Sequence, residues 1–215
     1  AKLLNPKIRI IAVEPVGAAC LKASFEAGKP VMLPSANTIA DGTAVKKPGI
    51  SIFPYLQKNI DEIITVEDDE LIVAFLDMVE NHKMIVENSG LLTVAALNHL
   101  KVKGKNVVSV LSGGNMDVIT MSSVVQQGLI FRDRIFTVSV LLPDKPGELA
   151  KVAQTIAGVQ GNVIKLDHNQ FITTNRSVAV ELTITLEAFG TEHKNQIIDT
   201  LEEAGYRPKI TRTVL

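Results

Sequence analysis

The strongest candidate for chemistry in this sequence is a glycine-containing turn that follows an apolar run. The run ends at Leu111 and leads into residues 112–115, Ser-Gly-Gly-Asn. Ser112 carries a hydroxyl that donates and accepts hydrogen bonds, and Gly113 and Gly114 let a ligand approach the backbone closely. Open α/β sheets bind ligands at turns of this kind, outside the carboxyl ends of their strands. An ordinary strand-to-helix turn has the same pattern, so the surrounding sequence must decide between the two interpretations.

A second candidate lies at residues 143–147, Pro-Asp-Lys-Pro-Gly. This tight turn separates a predicted strand at 135–142 from a predicted helix at 148–157. The free N–H groups at such a helix start suit an anion such as the carboxylate of a small amino acid. Gly147 would stand at that point.

The elements before residue 128 alternate between strands and helices, which is typical of an α/β core. Short apolar runs predict strands at 8–13, 62–65, 84–87 and 106–111. Apolar residues at helical spacing predict helices at 17–27, 68–81, 89–100 and 117–127, with Gly28 and Gly128 ending the first and the last. The four prolines between residues 29 and 54 allow only short structure there.

A different pattern begins at residue 134. Strands are predicted at 135–142, 162–169, 177–186 and 206–214, helices at 148–157 and 192–204, and a polar turn at 170–176. The order βαββαβ is that of the ferredoxin-like split unit. The sequence therefore predicts two domains, at residues 1–128 and 134–215.

Composition narrows the function classes. The 215 residues are 46% hydrophobic and 21% charged, and the formal net charge is −1. These values indicate a packed core and argue against nucleic acid as a partner. The single cysteine, Cys20, excludes an internal disulfide and fits a reducing, cytoplasmic compartment. No apolar run has membrane-spanning length, and the start of the chain has no signal-peptide pattern.

Four short pieces in the first 127 residues carry a family resemblance: 11–15 (IAVEP), 39–42 (IADG), 86–90 (VE-x-SG) and 111–115 (LSGGN). Together they resemble the later part of the pyridoxal-phosphate (PLP) dependent threonine ammonia-lyases, or threonine dehydratases, of the tryptophan-synthase-β-like fold type II. Residues 134–214 resemble an ACT domain, an amino-acid-sensing module, through 142–149 (LPDKPGEL). The pairing resembles the medium-length threonine ammonia-lyases.

The resemblance implies that PLP is the cofactor and that Ser112 faces its pyridine nitrogen, on a turn shaped by Gly113, Gly114 and Asn115. A carboxylate there would hold the nitrogen protonated, whereas a neutral hydroxyl leaves it largely unprotonated. The ring is then a weaker electron sink, which favours loss of a β-hydroxyl over transamination. The implied reaction converts L-threonine to 2-oxobutanoate and ammonia, and L-serine to pyruvate.

Three further residues are implied near the cofactor. Glu87 would lie near the ring, and Asp41 and Gly42 would line the far side. A solvated glutamate and a simple Asp-Gly turn are the alternatives. In the family, the catalytic lysine, the substrate-holding segment and the phosphate loop precede the strand with which this chain opens. No lysine of this chain lies in the family's lysine motif, so none is nominated, and we expect the chain alone to be inactive.

No metal site is predicted. Some relatives, notably the serine racemases, bind a divalent cation at the spacing of Glu14, Ala18 and Cys20 with an aspartate in third place. The soft thiol of Cys20 does not suit magnesium or calcium. The four histidines show no ligand spacing.

The ACT resemblance implies an amino-acid effector, isoleucine or valine, bound at residues of the turn and the following helix: Asp144, Lys145, Pro146, Gly147, Glu148 and Leu149. Asn162 and Val163 would complete the pocket across a dimer interface in a homo-oligomer, a dimer or a tetramer. Alternatively the domain only dimerises. At the level of the whole protein, an amino-acid-binding module without catalysis and a serine dehydratase or racemase of the same fold remain open, as do the biosynthetic and catabolic roles.

Overall fold

The computed structural model describes residues 1–169 and 180–214. The chain divides into two compact units, Ala1–Val125 and Gln126–Leu215. The division falls inside helix α5 (Val118–Phe131), a few residues before the boundary predicted at 128–134. This helix runs through Gly128, so the predicted stop there is wrong. A single glycine costs a helix only about 1 kcal/mol, which is too little to end it.

Two strands of the first unit pair in parallel. Strand β1 (Ile11–Pro15) aligns with β2 (Glu62–Val66), Ile11 opposite Glu62 and Pro15 opposite Val66. The chain between them contains helices α1 (Cys20–Ala27) and α2 (Phe53–Asn59). Helix α1 ends at Gly28 as predicted.

Two helical regions complete the first unit. Helix α3 (Asp68–Asp77) starts with a capping box, in which Glu67 and Glu70 each accept the other's backbone N–H. It continues as a π-helical turn, Met78–His82, so the helix predicted at 68–81 changes its winding near the end. The helix predicted at 89–100 is a short helix α4 (Leu92–Ala95) between the 3-10 segments Asn88–Leu91 and Ala96–His99.

The strands predicted at 84–87 and 106–111 are wrong, because neither segment pairs into a sheet in the described part of the chain. Residues 106–111 are largely exposed, and at 84–87 Met84 and Ile85 are exposed while Val86 is buried in the core, although both runs are apolar enough to suit a strand. A strand requires a neighbour that takes up its backbone hydrogen bonds, and an apolar run does not reveal whether one is present. The core of the first unit is instead formed mainly by α3, α4 and α5 with β2.

The second unit is a four-stranded antiparallel sheet with two helices. Its elements are β3 (Ile135–Leu142), α6 (Glu148–Gly158), β4 (Asn162–Asn169), β5 (Val180–Glu187), α7 (Thr191–Glu203) and β6 (Lys209–Thr211). The strand order β4-β5-β3-β6 is that of the predicted ferredoxin-like unit. The turn predicted at 170–176 and the first residues of the strand predicted at 177–186 lie outside the described residues.

Alternation along β3 and β5 builds the core of this unit. One side of the two strands buries large apolar residues against α6 and α7, namely Phe136, Val138, Val140, Leu142, Leu182, Ile184 and Leu186. The other side carries small polar residues that bond across the strands. There the Thr137 and Thr185 hydroxyls are 3.1 Å apart, and Ser139 donates to Glu181.

Candidate functional site

The turn at residues 112–115 ends an extended segment that α4 holds in place. The Thr93 hydroxyl donates to the Val110 carbonyl over 3.1 Å, and the Ser109 hydroxyl donates to the Thr93 carbonyl over 3.3 Å. Ser112 is exposed. Its hydroxyl is therefore accessible to a ligand at the end of a segment that is fixed from one side.

Glu87 contacts this turn directly. Its Oε2 accepts the backbone N–H of Asn115 over 2.8 Å, and its own N–H donates to the Gly113 carbonyl over 3.4 Å. Gly113 has a φ of 85°, in the left-handed region, and a β-carbon there would collide with the Glu87 carboxylate. The resemblance implies that Glu87 lies near the cofactor ring, and this stays a prediction. The sequence contains no sign that the carboxylate hydrogen-bonds to the turn itself.

The segment after Glu87 packs against both predicted cofactor loops. A β-carbon on Gly90 would overlap the Ser112 carbonyl oxygen, and one on Gly42 would lie 2.8 Å from the Ser89 hydroxyl. The Asn88 amide donates to the Ile39 carbonyl over 3.0 Å. Sequence reasoning named Gly42 but missed Asn88 and Gly90, whose only signal was their place in the VE-x-SG piece.

Asp41 opens a 3-10 turn, Asp41–Thr43, and its Oδ1 accepts the Gly42 N–H over 2.9 Å. The loop before it is anchored by Asp68, which accepts from the Thr38 hydroxyl and from the Ile39 N–H. Asp41 and Gly42 are exposed. The structure therefore brings the Gly42 loop, the Glu87 segment and the Ser112 turn into contact, and these three segments form one wall of residues.

Two buried polar atoms of this wall lack partners within the described residues: Asn88 Oδ1 and Ser89 Oγ. Buried polar atoms are normally hydrogen-bonded, so an unpaired pair marks a place where a polar group is expected. The exposed Ser112 hydroxyl and three glycines that exclude side chains add to this. The residues present fit one face of a site for a flat, polar cofactor.

Glu14 and Cys20 both lie at the start of α1: Glu14 binds its first N–H groups, and Cys20 is its first residue. The Glu14 carboxylate accepts the Leu21 and Lys22 N–H groups over 2.7 and 2.8 Å, where the helix dipole favours negative charge. Burial, followed by the nearby Glu14 charge, raises the pKa of the Cys20 thiol. No group of three His, Cys, Asp or Glu among the described residues has the arrangement of a metal site. The prediction about metal remains a prediction.

The second predicted site forms a cavity of about 320 Å³ in the second unit. It is lined by residues 142–149, which include all six predicted effector residues of the turn, and by His168. Gly147, with a φ of 92°, is the N-cap of α6, and no side chain caps this helix start. The sequence did not suggest His168.

Asn162 and Val163 lie at the other end of β4 from His168. Six residues of a strand span about 20 Å, and Asn162 donates to Glu187 Oε2 over 3.0 Å instead. Within one copy of the chain, these two residues do not join the cavity.

Another cavity of the second unit, about 370 Å³, was not suggested by the sequence. It lies between the end of α6 and the start of α7, where the Phe189 ring stacks on His193 at 4.7 Å. His193 Nδ1 accepts the Phe189 N–H, so Nε2 must carry the proton that it donates to the Val159 carbonyl. Both ring nitrogens are therefore engaged in closing the loop before α7.

The fold and the wall formed by these three segments define the class: an α/β protein whose glycine-rich contact region fits a polar cofactor. Residues 1–113, slightly more than half of the chain, match the family described as pyridoxal-phosphate dependent enzymes. The chain belongs to this family.

Named relatives narrow the comparison. The L-threonine ammonia-lyase of Geobacter sulfurreducens is 39% identical over 205 residues, which are 94% of this chain and 51% of the relative. The chain thus spans about half the length of the curated relatives it matches. The processed form of threonine deaminase isoform 2 from Solanum lycopersicum has a TM-score of 0.55 at 34% identity, over 59% of this chain and 38% of that one. Maize serine racemase has a TM-score of 0.52 at 35% identity, over 57% and 40%.

None of the described helices is both long and apolar enough to cross a membrane.

Proposed function

We propose that this chain forms part of a threonine ammonia-lyase, which converts L-threonine to 2-oxobutanoate and ammonia and also accepts L-serine. The observation that carries the proposal is the exposed Ser112 hydroxyl on a turn held by Glu87 and Gly90. The named relatives support the substrate, since threonine ammonia-lyase and threonine deaminase are the names of two of them.

The proposal assigns a role to residues of the Gly42 loop and of the Ser112 turn. Bound PLP supplies the electron sink that permits loss of the α-hydrogen and of the β-hydroxyl. Ser112 offers the ring nitrogen a neutral hydroxyl, and this leaves the nitrogen largely unprotonated. Gly42 and Gly113 let their two loops approach the Glu87 segment closely, because a β-carbon at either position would meet Ser89 or Glu87. Asp41 lies in the same loop as Gly42.

The test uses a chimera, because no lysine of this chain lies in the family's lysine motif and we expect the 215 residues alone to be inactive. The part of the Geobacter relative outside the match is fused to this chain, and 2-oxobutanoate release from L-threonine is measured with added PLP. We expect turnover, and we expect Ser112→Asp to divert it towards transamination, with Ser122→Asp at an exposed position of helix α5 as control.

Absence of oxo acid from a folded, PLP-loaded chimera would contradict the proposal. D-serine formed from L-serine without pyruvate would favour the racemase alternative, which the likeness to maize serine racemase keeps open.

We also propose that the second unit is an ACT domain that binds an amino-acid effector. The cavity at residues 142–149 is lined by Lys145, whose charge suits a carboxylate, and by Asp144 and Glu148, which suit an ammonium group. The imidazole of His168 adds a ring that can donate a hydrogen bond. The uncapped start of α6 adds free N–H groups for the carboxylate. Asn162 and Val163 would reach the cavity only from a second copy, so this proposal includes a homo-oligomer.

Calorimetric titration with isoleucine and valine tests this second proposal, with threonine and serine as controls. We expect saturable binding of isoleucine that is lost in Gly147→Leu, because a side chain there both strains the left-handed backbone and fills the cavity. Such binding would favour a biosynthetic, feedback-regulated protein. No heat with any of the four would overturn the sensor assignment and leave a domain that only assembles.

A further inference from the structure

We infer that Glu87 is a positioning residue for the Ser112 hydroxyl. Its carboxylate binds the turn at 112–115 and contacts the Gly42 loop, while the Gly90 segment packs against the same turn. We call this set of contacts the clasp. The inference rests on the proposed function, because it concerns the proposed PLP site. It assigns Glu87 an action through the turn and not through contact with the ring.

The first step is the pair of hydrogen bonds between Glu87 and the turn. Oε2 accepts the Asn115 N–H over 2.8 Å, and the Glu87 N–H donates to the Gly113 carbonyl over 3.4 Å. The first is charge-assisted, which makes it the stronger kind. Together they hold the turn on both sides of Gly114.

The second step is steric. Gly113 has a φ of 85°, and the place of a β-carbon there is taken by the Glu87 carboxylate. Gly90 packs so closely against the Ser112 carbonyl that a β-carbon would overlap it. The backbone of Ser112 is thus fixed at its carbonyl and at the following residue, and only the χ1 rotamer of the hydroxyl is left to vary.

The third step is the contact with the opposite loop. A β-carbon on Gly42 would lie 3.5 Å from Glu87 Oε1 and 2.8 Å from Ser89 Oγ. The Glu87 carboxylate therefore lies between the Gly42 loop and the Ser112 turn, the two parts that the proposed function places beside the ring. Its size sets the spacing between them.

The first measurement needs no cofactor: backbone amide exchange of Asn115 in the 215-residue chain, by NMR. Glu87→Ala should speed exchange at least about tenfold, the equivalent of one lost charge-assisted hydrogen bond. Glu87→Gln keeps an acceptor oxygen of similar reach and should retain most of the protection. Glu26→Ala, on the exposed face of α1, is the matched control and should change nothing. Unchanged exchange of Asn115 in Glu87→Ala would overturn the clasp.

The second measurement separates positioning from local structure: the absorption spectrum and affinity of PLP added to the Ser112-containing site of the chimera. Glu87→Ala should weaken PLP binding about tenfold and shift the absorption maximum, and Glu87→Gln should restore both towards the original values. An unchanged spectrum and affinity in Glu87→Ala would overturn the positioning role, even with faster Asn115 exchange.

A further variant guards against misfolding. Glu87→Asp keeps the charge but is one methylene shorter, so it cannot reach Asn115 and fill the place beside Gly113 together. It should resemble Glu87→Ala in both measurements, and behaviour like the original protein would overturn the clasp. Absence of any PLP spectrum in the unmodified chimera would contradict the proposed function instead, while the exchange comparison would still decide the clasp.

Discussion

The same tripeptide, Val-Ser-Val, occurs in both units and has opposite fates. In the first unit it is residues 108–110, where Val108 is 89% exposed and no sheet partner is present in the described part of the chain. In the second unit it is residues 138–140 of β3, where Val138 and Val140 are completely buried. Strand β3 pairs with β5 on one side and with β6 on the other.

The difference shows that the surroundings, and not the run itself, give these residues their structure. Strand β3 lies inside a sheet whose one face is covered by two helices, so its valines are core residues. Residues 108–110 make two hydrogen bonds with Thr93 and lead into the turn at 112–115. Four substitutions test this contrast between the buried, sheet-paired residues of the second unit and the exposed segment and turn of the first.

The largest effect is expected in the buried copy of the tripeptide. Val138→Ala should lower the free energy of unfolding of the second unit by about 2–3 kcal/mol, through two lost methyl groups and the resulting cavity. Val108→Ala, the matched change in the exposed copy, should stay within about 0.5 kcal/mol. Urea unfolding followed through the ring signals of Tyr55 and Tyr206, one in each unit, measures both. Equal effects would remove the contrast.

The exposed turn at 112–115 nevertheless has one position, Gly113, that does not tolerate a side chain. Gly113→Ala should cost the first unit about 2 kcal/mol, because alanine is strained at a φ of 85° and its β-carbon collides with Glu87. Gly114→Ala is the control, since nothing lies within 4 Å of its β-carbon position and its φ is not positive. Tyr55 reports the change. A harmless Gly113→Ala would mean that the turn is not fixed as described.

The second unit contains a pH-sensitive contact, between Asp133 and the side chains of Lys194 and Thr191, whose effect on stability can be measured by urea unfolding with Tyr206 as the reporter. Burial works to raise the pKa of Asp133, but hydrogen bonds from Lys194 and Thr191 outweigh it and lower the pKa below its ordinary value of 3.8. The ionised form is thus favoured in the folded state, so its stabilisation is complete above the unfolded pKa and is lost as pH falls through the lower, folded pKa.

Asp133→Asn should therefore cost about 1 kcal/mol at pH 7 and nothing once the pH is below the folded pKa. Asparagine tolerates the left-handed backbone of this position, whose φ is 54°. Asp167→Asn removes an exposed ion pair with Lys165 and is the control. A pH-independent loss in Asp133→Asn would show that the carboxylate charge is not the cause.

The smallest effect is expected where the proposed chemistry is. Ser112→Ala should change the stability of the first unit by less than about 0.5 kcal/mol, because the hydroxyl is exposed. Ser139→Ala in β3 should cost about 1 kcal/mol, because it removes a buried hydroxyl that donates to Glu181. A large loss in Ser112→Ala would indicate a structural hydroxyl and weaken the case for a cofactor contact.

Local sequence signals were sufficient for the second unit. The strands at 135–142 and 162–169 and the order of all its elements were predicted, because alternation and helical spacing act over a few residues and each of these runs does pair into a sheet. The same signals failed at 84–87 and 106–111, where the apolar run is present but no partner strand is found in the described part of the chain. They also failed at Gly128, which was predicted to end a helix, because a single glycine costs a helix too little free energy to stop it.

The site residues also divide into those that a local pattern indicates and those that come together only in the fold. The turns at 112–115 and 143–147 were predicted from glycines and prolines near element ends, and the effector residues 144–149 came from the resemblance to an ACT domain. The contacts of Glu87 with Asn115 and of Gly90 with Ser112 join residues more than 20 positions apart, and no local pattern encodes such distances. His168 was missed for that reason, since it reaches the cavity from a different strand.

Cys20 has a practical consequence. It is the chain's only cysteine, it is buried, and burial together with the Glu14 charge raises the pKa of its thiol. Thiol reagents react with the exposed thiolate form, so we expect this residue to react with them much more slowly than an exposed thiol. A cysteine introduced at any exposed position is then the one reactive thiol, and a dye or spin label can be attached there selectively without first removing the native residue.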